Sequence, residues 1–357
     1  MSRVLIAPDS FKGSASSVEV TRAIAQGWKS VRPLDELIQI PFADGGEGSL
    51  SAIETARPDA LRIYCPEITP GAYWLLINGS TAVVALAQTS GLTLLPVFDP
   101  LGAHTFAFGQ VLAAAAQDSR VQRIYCALGG SASTDAGVGA LIALGVQFLD
   151  SDGESINLGG GELSRIRSID KNAMITPPHD GVTLLVDVDS PLLGGRGAAA
   201  TYSPQKGATA AQILELEDAL KSFANLTAYP DAPGLGAAGG TAFGLCALWD
   251  ANLQSGAEVI AQLSGLQAAL EQADLVITGE GRLDGQSFQG KVVGYLSHLA
   301  GQASVPIAYC VGSIEGEFPS SAAGGVSLSE IAGSSALAME NPEKYLIEAG
   351  VKLASFL

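Results

Sequence analysis

The 357-residue sequence predicts an α/β protein of two domains, a parallel-sheet domain assembled from both chain ends and a second α/β domain inserted between them. Three observations predict it. At both ends, short apolar runs that close in polar or glycine-rich loops alternate with segments of helical periodicity. The middle of the chain changes character, with more glycine loops and a hairpin-like stretch. And 357 residues is long for a single hydrophobic core.

Taken in order, "RVLIAPDS" reads as a short strand and "SVEVTRAIAQGWKSV" as a helix behind the cap candidates Ser16 and Ser17. "ELIQIPFADGGEG" is a second strand, and "SLSAIETA" opens another helix. The middle offers the strand and hairpin region "YWLLINGSTAVVALA", the helix "FGQVLAAAAQ" and the run "VTLLV". The C-terminal part returns to the alternation of the first sixty residues, with "ADLVITGEG" a strand, "KVVGYLSHLAGQ" a helix, "PIAYCVGS" a strand, "GVSLSEIAG" another strand, and "PEKYLIEAGVKLASFL" a closing amphipathic helix. The expected division is 1–66 with 271–357 for the domain of the termini, and 67–270 for the inserted domain. In open parallel sheets ligands bind outside the carboxyl ends of the strands, so the loops "APDS", "ADGGEG", "TGEGRLDG" and "VGS" are expected on one rim.

Composition narrows the function classes. Nineteen Lys and Arg against 36 Asp and Glu give a net charge of −17, which argues against a nucleic-acid partner because phosphate backbones are held by clustered cations. No apolar run approaches a membrane span, and the run after Met1-Ser2-Arg3 is too short for a signal segment, so a cytoplasmic enzyme without a membrane partner is expected. A small-molecule substrate is the expected partner, with a homo-oligomer left open. Cys65, Cys126, Cys246 and Cys310 form no CxxC pair, and the three histidines are scattered, which disfavours structural zinc and suits buried reduced thiols.

No GxxxxGK[ST] loop occurs, no GxSxG elbow has a plausible His, and "GEGRLDG" places Asp284 where GxGxxG wants a small residue. Six clusters instead mix glycine, carboxylate, hydroxyl and cation. Asp9, Ser10 and Lys12 end the first strand, either as a cap with a solvated lysine or as a phosphate or substrate contact. Asp44 and Glu47 sit among Gly45, Gly46 and Gly48 at a helix start, more carboxylate than a cap requires. "GGSASTDAGVGAL" (129–141) holds Gly129, Gly130, Ser131 and Asp135 before a helix, a tight turn or a small-anion site built of backbone N–H groups. Asp187 and Asp189 follow "VTLLV"; two residues apart in extended chain, both carboxylates can meet one Mg²⁺ or one substrate hydroxyl. Arg196, Gln205, Lys206 and Gly207 add cations and an amide, and "GLGAAGGTAFG" suits close packing or a nucleotide phosphate. Finally "TGEGRLDGQSFQGK" carries Glu280, Arg282, Asp284, Gln286 and Lys291. Phosphoryl transfer needs donors and cations around phosphate oxygens, carboxylates for Mg²⁺ and one carboxylate for the hydroxyl proton, and all three recur here.

In this order "APDSFKGS", "PFADGGEGS", "LGGSASTDAGVGAL", "DVDSPLLGGRGAA", "PQKGAT", "GLGAAGGTAFG" and "TGEGRLDGQSFQGK" resemble the bacterial type I glycerate kinases over nearly the whole chain. The resemblance implies an ATP- and Mg²⁺-dependent kinase that phosphorylates D-glycerate, typically at O2 to give 2-phosphoglycerate. It also implies a Rossmann-like domain of both termini plus an inserted α/β domain. The residues it carries over are Asp9, Ser10, Lys12, Asp44, Gly45, Gly46, Glu47, Gly48, Gly129, Gly130, Ser131, Asp135, Asp187, Lys206, Glu280, Arg282, Asp284, Gln286 and Ser287. Asp187 is expected to be the catalytic base or principal Mg²⁺ ligand, Lys12 and Arg282 the cations that act on phosphate or carboxylate, and Asp189, from its spacing to Asp187, a second Mg²⁺ ligand. The 129–141 loop is expected to face an interdomain cleft, with Ser131 on the anion and Asp135 orienting the loop or a Mg²⁺-bound water. Several positions depart from the family pattern: Ala107, Phe108 and Gln110 stand for Gly, Thr and Glu, Ala85 for Glu, Thr134 for Asn and Ser190 for Asn. A kinase for another small hydroxy acid or polyol and a catalytically silent ligand-binding relative are the alternatives; the joint presence of Asp187, Lys12 and Arg282 weighs against the second.

Overall fold

In the computed structural model, which describes residues 1–46, 48–285, 287–288 and 292–356, the strand-like runs of the two termini line up as one parallel sheet. Its order is Gly324–Ser327, Ile307–Val311, Leu275–Thr278, Arg3–Ile6, Glu36–Gln39, and every neighbouring pair is parallel. Counted along the chain the order is 2-1-3-4-5, a doubly wound sheet whose direction of progression reverses between Arg3–Ile6 and Leu275–Thr278. Side chains alternate across it. Val4, Ile6, Leu275, Ile277 and Cys310 face one core with the helices Ser17–Val31 and Pro342–Ser355, whereas Leu5, Val276 and Tyr309 are buried on the other face, where the Tyr309 hydroxyl meets Ser297 of the helix Val292–Ala303 at 3.0 Å. Covering both faces is what continuous apolar strands require.

The Ser17–Val31 helix starts where a capping box sets it: Glu19 N donates to Ser16 Oγ and Ser16 N donates to the Glu19 carboxylate at 2.8 Å. Its contact with the closing helix is close enough to require glycine. A Cβ on Gly27 would stand 2.0 Å from the Ile347 carbonyl oxygen, and one on Gly350 2.3 Å from that of Ile24. The sequence reading of "GVSLSEIAG" as strand holds only to Ser327; Leu328–Ala332 is helical, because Leu328 and Ile331, three residues apart, turn one face to the core.

The second sheet is mixed, in the order Asn252–Gln254, Val182–Leu185, Arg123–Ala127, Thr81–Ala85, Tyr73–Ile77, Leu61–Tyr64. The first four run parallel and the last two pairings are antiparallel. The expected hairpin is there, with Ile77 opposite Thr81 across the three-residue loop Asn78-Gly79-Ser80, in which Asn78 and Gly79 have positive φ. The core of this unit joins Trp74, Phe108, Phe148, Phe223, Phe243 and Trp249.

The described chain falls into two compact units, Met1–Asp44 with Ser51–Pro58 and Ala257–Leu357, and Gly45–Leu50 with Asp59–Gly256. The strand Leu61–Tyr64 pairs within the second sheet, whereas the expected boundaries stand at 66/67 and 270/271. Among the described residues no helix is long and apolar enough to cross a membrane. All four cysteines are buried and free; burial alone pushes the Cys310 thiol up to about 12, so it stays protonated and inert.

Candidate functional site

In the first unit the geometry concentrates at the reversal point of the sheet. Asp9 N donates to the Gly279 carbonyl at 2.8 Å and Thr278 Oγ1 to that of Ala7 at 3.0 Å, which locks the loops after Arg3–Ile6 and Leu275–Thr278 together. Gly312 N donates to the Glu280 carbonyl at 3.0 Å, and Arg282–Leu283 pairs with Ser313–Ile314, bringing in the loop after Ile307–Val311. Three strand ends thus share one rim. On it Asp9 is half-buried, and its pKa rises from 3.8 to about 7, first through burial and then through the neighbouring charges of Asp44 and Glu280; the Ser10 N–H and the Lys12 ammonium pull the other way. Ser10 N donates to Asp9 Oδ1 at 2.6 Å.

The other cations and carboxylates of this rim are placed less centrally. Arg282 is exposed and its Nη2 donates to Glu315 at 2.5 Å. Asp284 is held by a local turn in which its N–H donates to Ser287 Oγ at 2.9 Å and Ser287 N donates back to its carbonyl at 3.1 Å. Glu47, Gln286 and Lys291 lie outside the described residues.

In the second unit the glycine loops meet. Gly129 N donates to the Gly45 carbonyl at 3.0 Å, and a Cβ on Gly129 would lie 2.4 Å from Gly46 Cα, so the backbones touch only because side chains are absent. Gly130, next along, is exposed. Deeper in the same loop, Asp135 has no exposed surface and accepts from Thr105 N and Thr105 Oγ1, both at 2.8 Å, and from Gly137 N and Gly139 N, both at 3.2 Å. The start of the helix Val138–Ala143 is therefore filled by the loop's own carboxylate. Asp135 thus ties Thr105 to the backbone that leads into this helix. Lys206, 3% exposed, donates to the Ser133 carbonyl; burial lowers its pKa to about 8 against the opposing pull of Asp135. Ser131 Oγ accepts from Ser133 N at 3.1 Å. The glycines of "GLGAAGGTAFG" serve packing: a Cβ on Gly239 would stand 2.1 Å from the Ser133 carbonyl oxygen.

Asp187 lies two residues past the end of Val182–Leu185, its Oδ1 accepting from Ser255 Oγ at 2.8 Å and Gly256 N at 3.0 Å. Asp189 is exposed and pairs with Arg196 at 2.7 Å. The two carboxylates are thus directed to different groups. Among the described residues no cluster of three or more His, Cys, Asp or Glu side chains is suited to a metal. Magnesium is commonly held by one or two carboxylates together with substrate phosphates and water, and Asp187 fits that donor set, whereas the charge of Asp189 is answered by Arg196.

The sequence matches the glycerate kinase family over residues 4–357. The chain belongs to the glycerate kinase family. It is 40% identical to a glycerate kinase of Halalkalibacterium halodurans over 88% of this chain and 86% of that one, and 36% identical to the glycerate 2-kinase of Escherichia coli over 87% and 85%. Among solved structures, a protein from Salmonella typhimurium assigned as glycerate kinase 2 superposes with a TM-score of 0.80 at 32% identity, covering 99% of this chain and 97% of that one. In this glycerate kinase family member, the departure at Phe108 is a core substitution: the ring is fully buried within the apolar core of the second unit. Thr105 and Ser255, which hold Asp135 and Asp187, escape a reading of the sequence because each meets its partner across 30 or 68 residues and no local pattern marks them; Ser133 lies within the 129–141 loop, but its carbonyl's bond to Lys206 spans 73 residues.

Proposed function

We propose that the chain is a kinase that transfers a phosphoryl group from ATP to D-glycerate at O2, giving 2-phosphoglycerate and ADP. The observation that carries this reading is Asp9: a carboxyl at the reversal point of a parallel sheet, beside Lys12 and two further carboxylates, whose pKa of about 7 suits proton acceptance at neutral pH. In this reading Asp9 takes the proton of the attacking hydroxyl. Lys12 and Arg282 bind phosphate or carboxylate oxygens as ammonium point charge and planar fork. Asp187 holds Mg²⁺, which when bound neutralises phosphate charge. Lys206 and Asp135 fix the turn that presents Gly129, Gly130 and Ser131, and Asp44, Gly45, Gly46, Glu47, Glu280 and Asp284 complete the binding loops. Family membership supports the substrate class.

A coupled assay of ADP release with and without D-glycerate tests the proposal. Glycerate-dependent ADP release that requires Mg²⁺ supports it. Equal release without glycerate, or none at all, refutes it.

A further inference from the structure

Two hydroxyls in the second unit stand apart from the networks above. Among the described residues, Thr89 Oγ1 and Ser90 Oγ are buried and have no hydrogen-bond partner, and Ser90 is 7% exposed. A buried hydroxyl without a partner is destabilising, so its retention calls for a water or a ligand oxygen beside it.

The place of Ser90 in the fold chooses between them. The strands Thr81–Ala85 and Arg123–Ala127 are parallel neighbours with Ala85 opposite Ala127. The turn Ala87–Ser90 follows the first and Gly129–Ser131 the second, both at carboxyl strand ends where small ligands bind in such sheets. The two segments are laced together. Leu86 N donates to the Ala127 carbonyl at 2.9 Å, Leu92 N to that of Gly130 at 2.8 Å and Ala132 N to that of Ser90 at 2.9 Å, and Gly91 bridges Ser131. A Cβ on Gly91 would stand 2.3 Å from the Ala87 carbonyl oxygen, so the turn closes on Ser90 only with glycine next to it.

We infer that Ser90 is a substrate-binding residue whose hydroxyl, together with the Gly130–Ser131 turn, receives a hydroxyl or carboxylate oxygen of a small hydroxy acid. The inference rests on the glycerate kinase reading. A serine hydroxyl both donates and accepts, and rotation about χ1 moves it among staggered positions, so it can meet either kind of oxygen. Thr89, one position back and about 100° round the turn, carries the same unpartnered hydroxyl and serves as the control.

The test compares S90A, T89V and the wild-type chain by steady-state kinetics and by the thermal shift that D-glycerate induces without nucleotide. For S90A the expected result is a KM for D-glycerate raised about tenfold, a KM for ATP within twofold of wild type, a smaller glycerate-induced shift, and a ligand-free Tm equal to or above wild type because an unpartnered hydroxyl has gone. T89V should keep the wild-type KM. Unchanged glycerate KM and thermal shift in S90A would assign the hydroxyl to a water and overturn the inference. Equal KM rises in S90A and T89V would mean a loosened turn and overturn it too. A wild-type chain that neither binds nor phosphorylates D-glycerate brings down the functional reading itself, an outcome distinct from a responsive wild type with an unaffected S90A.

Discussion

Replacing Asp9 by Asn should stabilise the protein while disabling it. In the folded chain the Asp9 pKa stands at about 7 against 3.8 for an ordinary aspartate. At about 1.4 kcal/mol per pH unit, that gap is about 4 kcal/mol. The sign follows from proton binding. Between about pH 4 and pH 7 the folded state holds more protons at this position than the unfolded state, so the wild type loses stability as the pH rises through that window and carries the whole cost above about pH 7. Asn keeps an oxygen for the Ser10 N–H, which donates at 2.6 Å, and removes the charge that Asp44 and Glu280 oppose. Urea unfolding and thermal melts at a series of pH values should show Asp9→Asn matching wild type near pH 3.5 and exceeding it above pH 7 by up to about 4 kcal/mol, roughly 10 °C in Tm. Its kcat should fall about 10²- to 10⁴-fold, as loss of a general base does. A variant no more stable than wild type at pH 8, or a gain that does not depend on pH, would refute the placement of Asp9 in a carboxylate cluster.

Three further substitutions probe other parts of the account. Asp135→Asn leaves Lys206 buried without its carboxylate neighbour and offers an NH₂ to backbone donors, so it should cost about 3–5 kcal/mol by chemical denaturation; a loss under about 1 kcal/mol would contradict the buried network. Gly27→Ala places a methyl group 2.0 Å from the Ile347 carbonyl oxygen and should destabilise the first unit by about 1–3 kcal/mol in the same assay, with unchanged stability counting against the helix contact. Asp187→Asn should raise the Mg²⁺ concentration required for half-maximal rate and lower kcat, while its melting temperature stays near wild type; an unaltered Mg²⁺ dependence would remove Asp187 from the metal.

The elements of the parallel sheet are legible in the sequence because each is a short apolar run closed by a polar or glycine loop, and the helix Ser17–Val31 is legible to the residue because its capping box and apolar periodicity agree. The strand after Gly324 reads too long in sequence since Leu328 and Ile331 satisfy a β run as well as a helical face when only hydrophobicity is read. The loop residues of the candidate site can be found as glycine–carboxylate clusters, but their duties cannot. Composition cannot say that Asp135 turns inward to four donors while Asp9, in an equally short polar loop, is left among like charges. Nor can it tell that Gly239 packs against the Ser133 carbonyl, or that Asp187 and Asp189, two residues apart, take different partners. These depend on contacts between distant segments, which no local pattern encodes.

In the proposed reaction the chain joins phosphate to the 2-hydroxyl of D-glycerate. Incubating the purified protein with ATP, Mg²⁺ and D-glycerate labelled with ¹³C at C2, and following the C2 and phosphorus resonances by NMR, tests it most directly. The account predicts a phosphoester whose phosphorus couples to the C2 proton, appearing in step with ADP. A phosphoester on the terminal carbon would contradict the assigned oxygen, and unaltered glycerate with wild-type protein would contradict the claim as a whole.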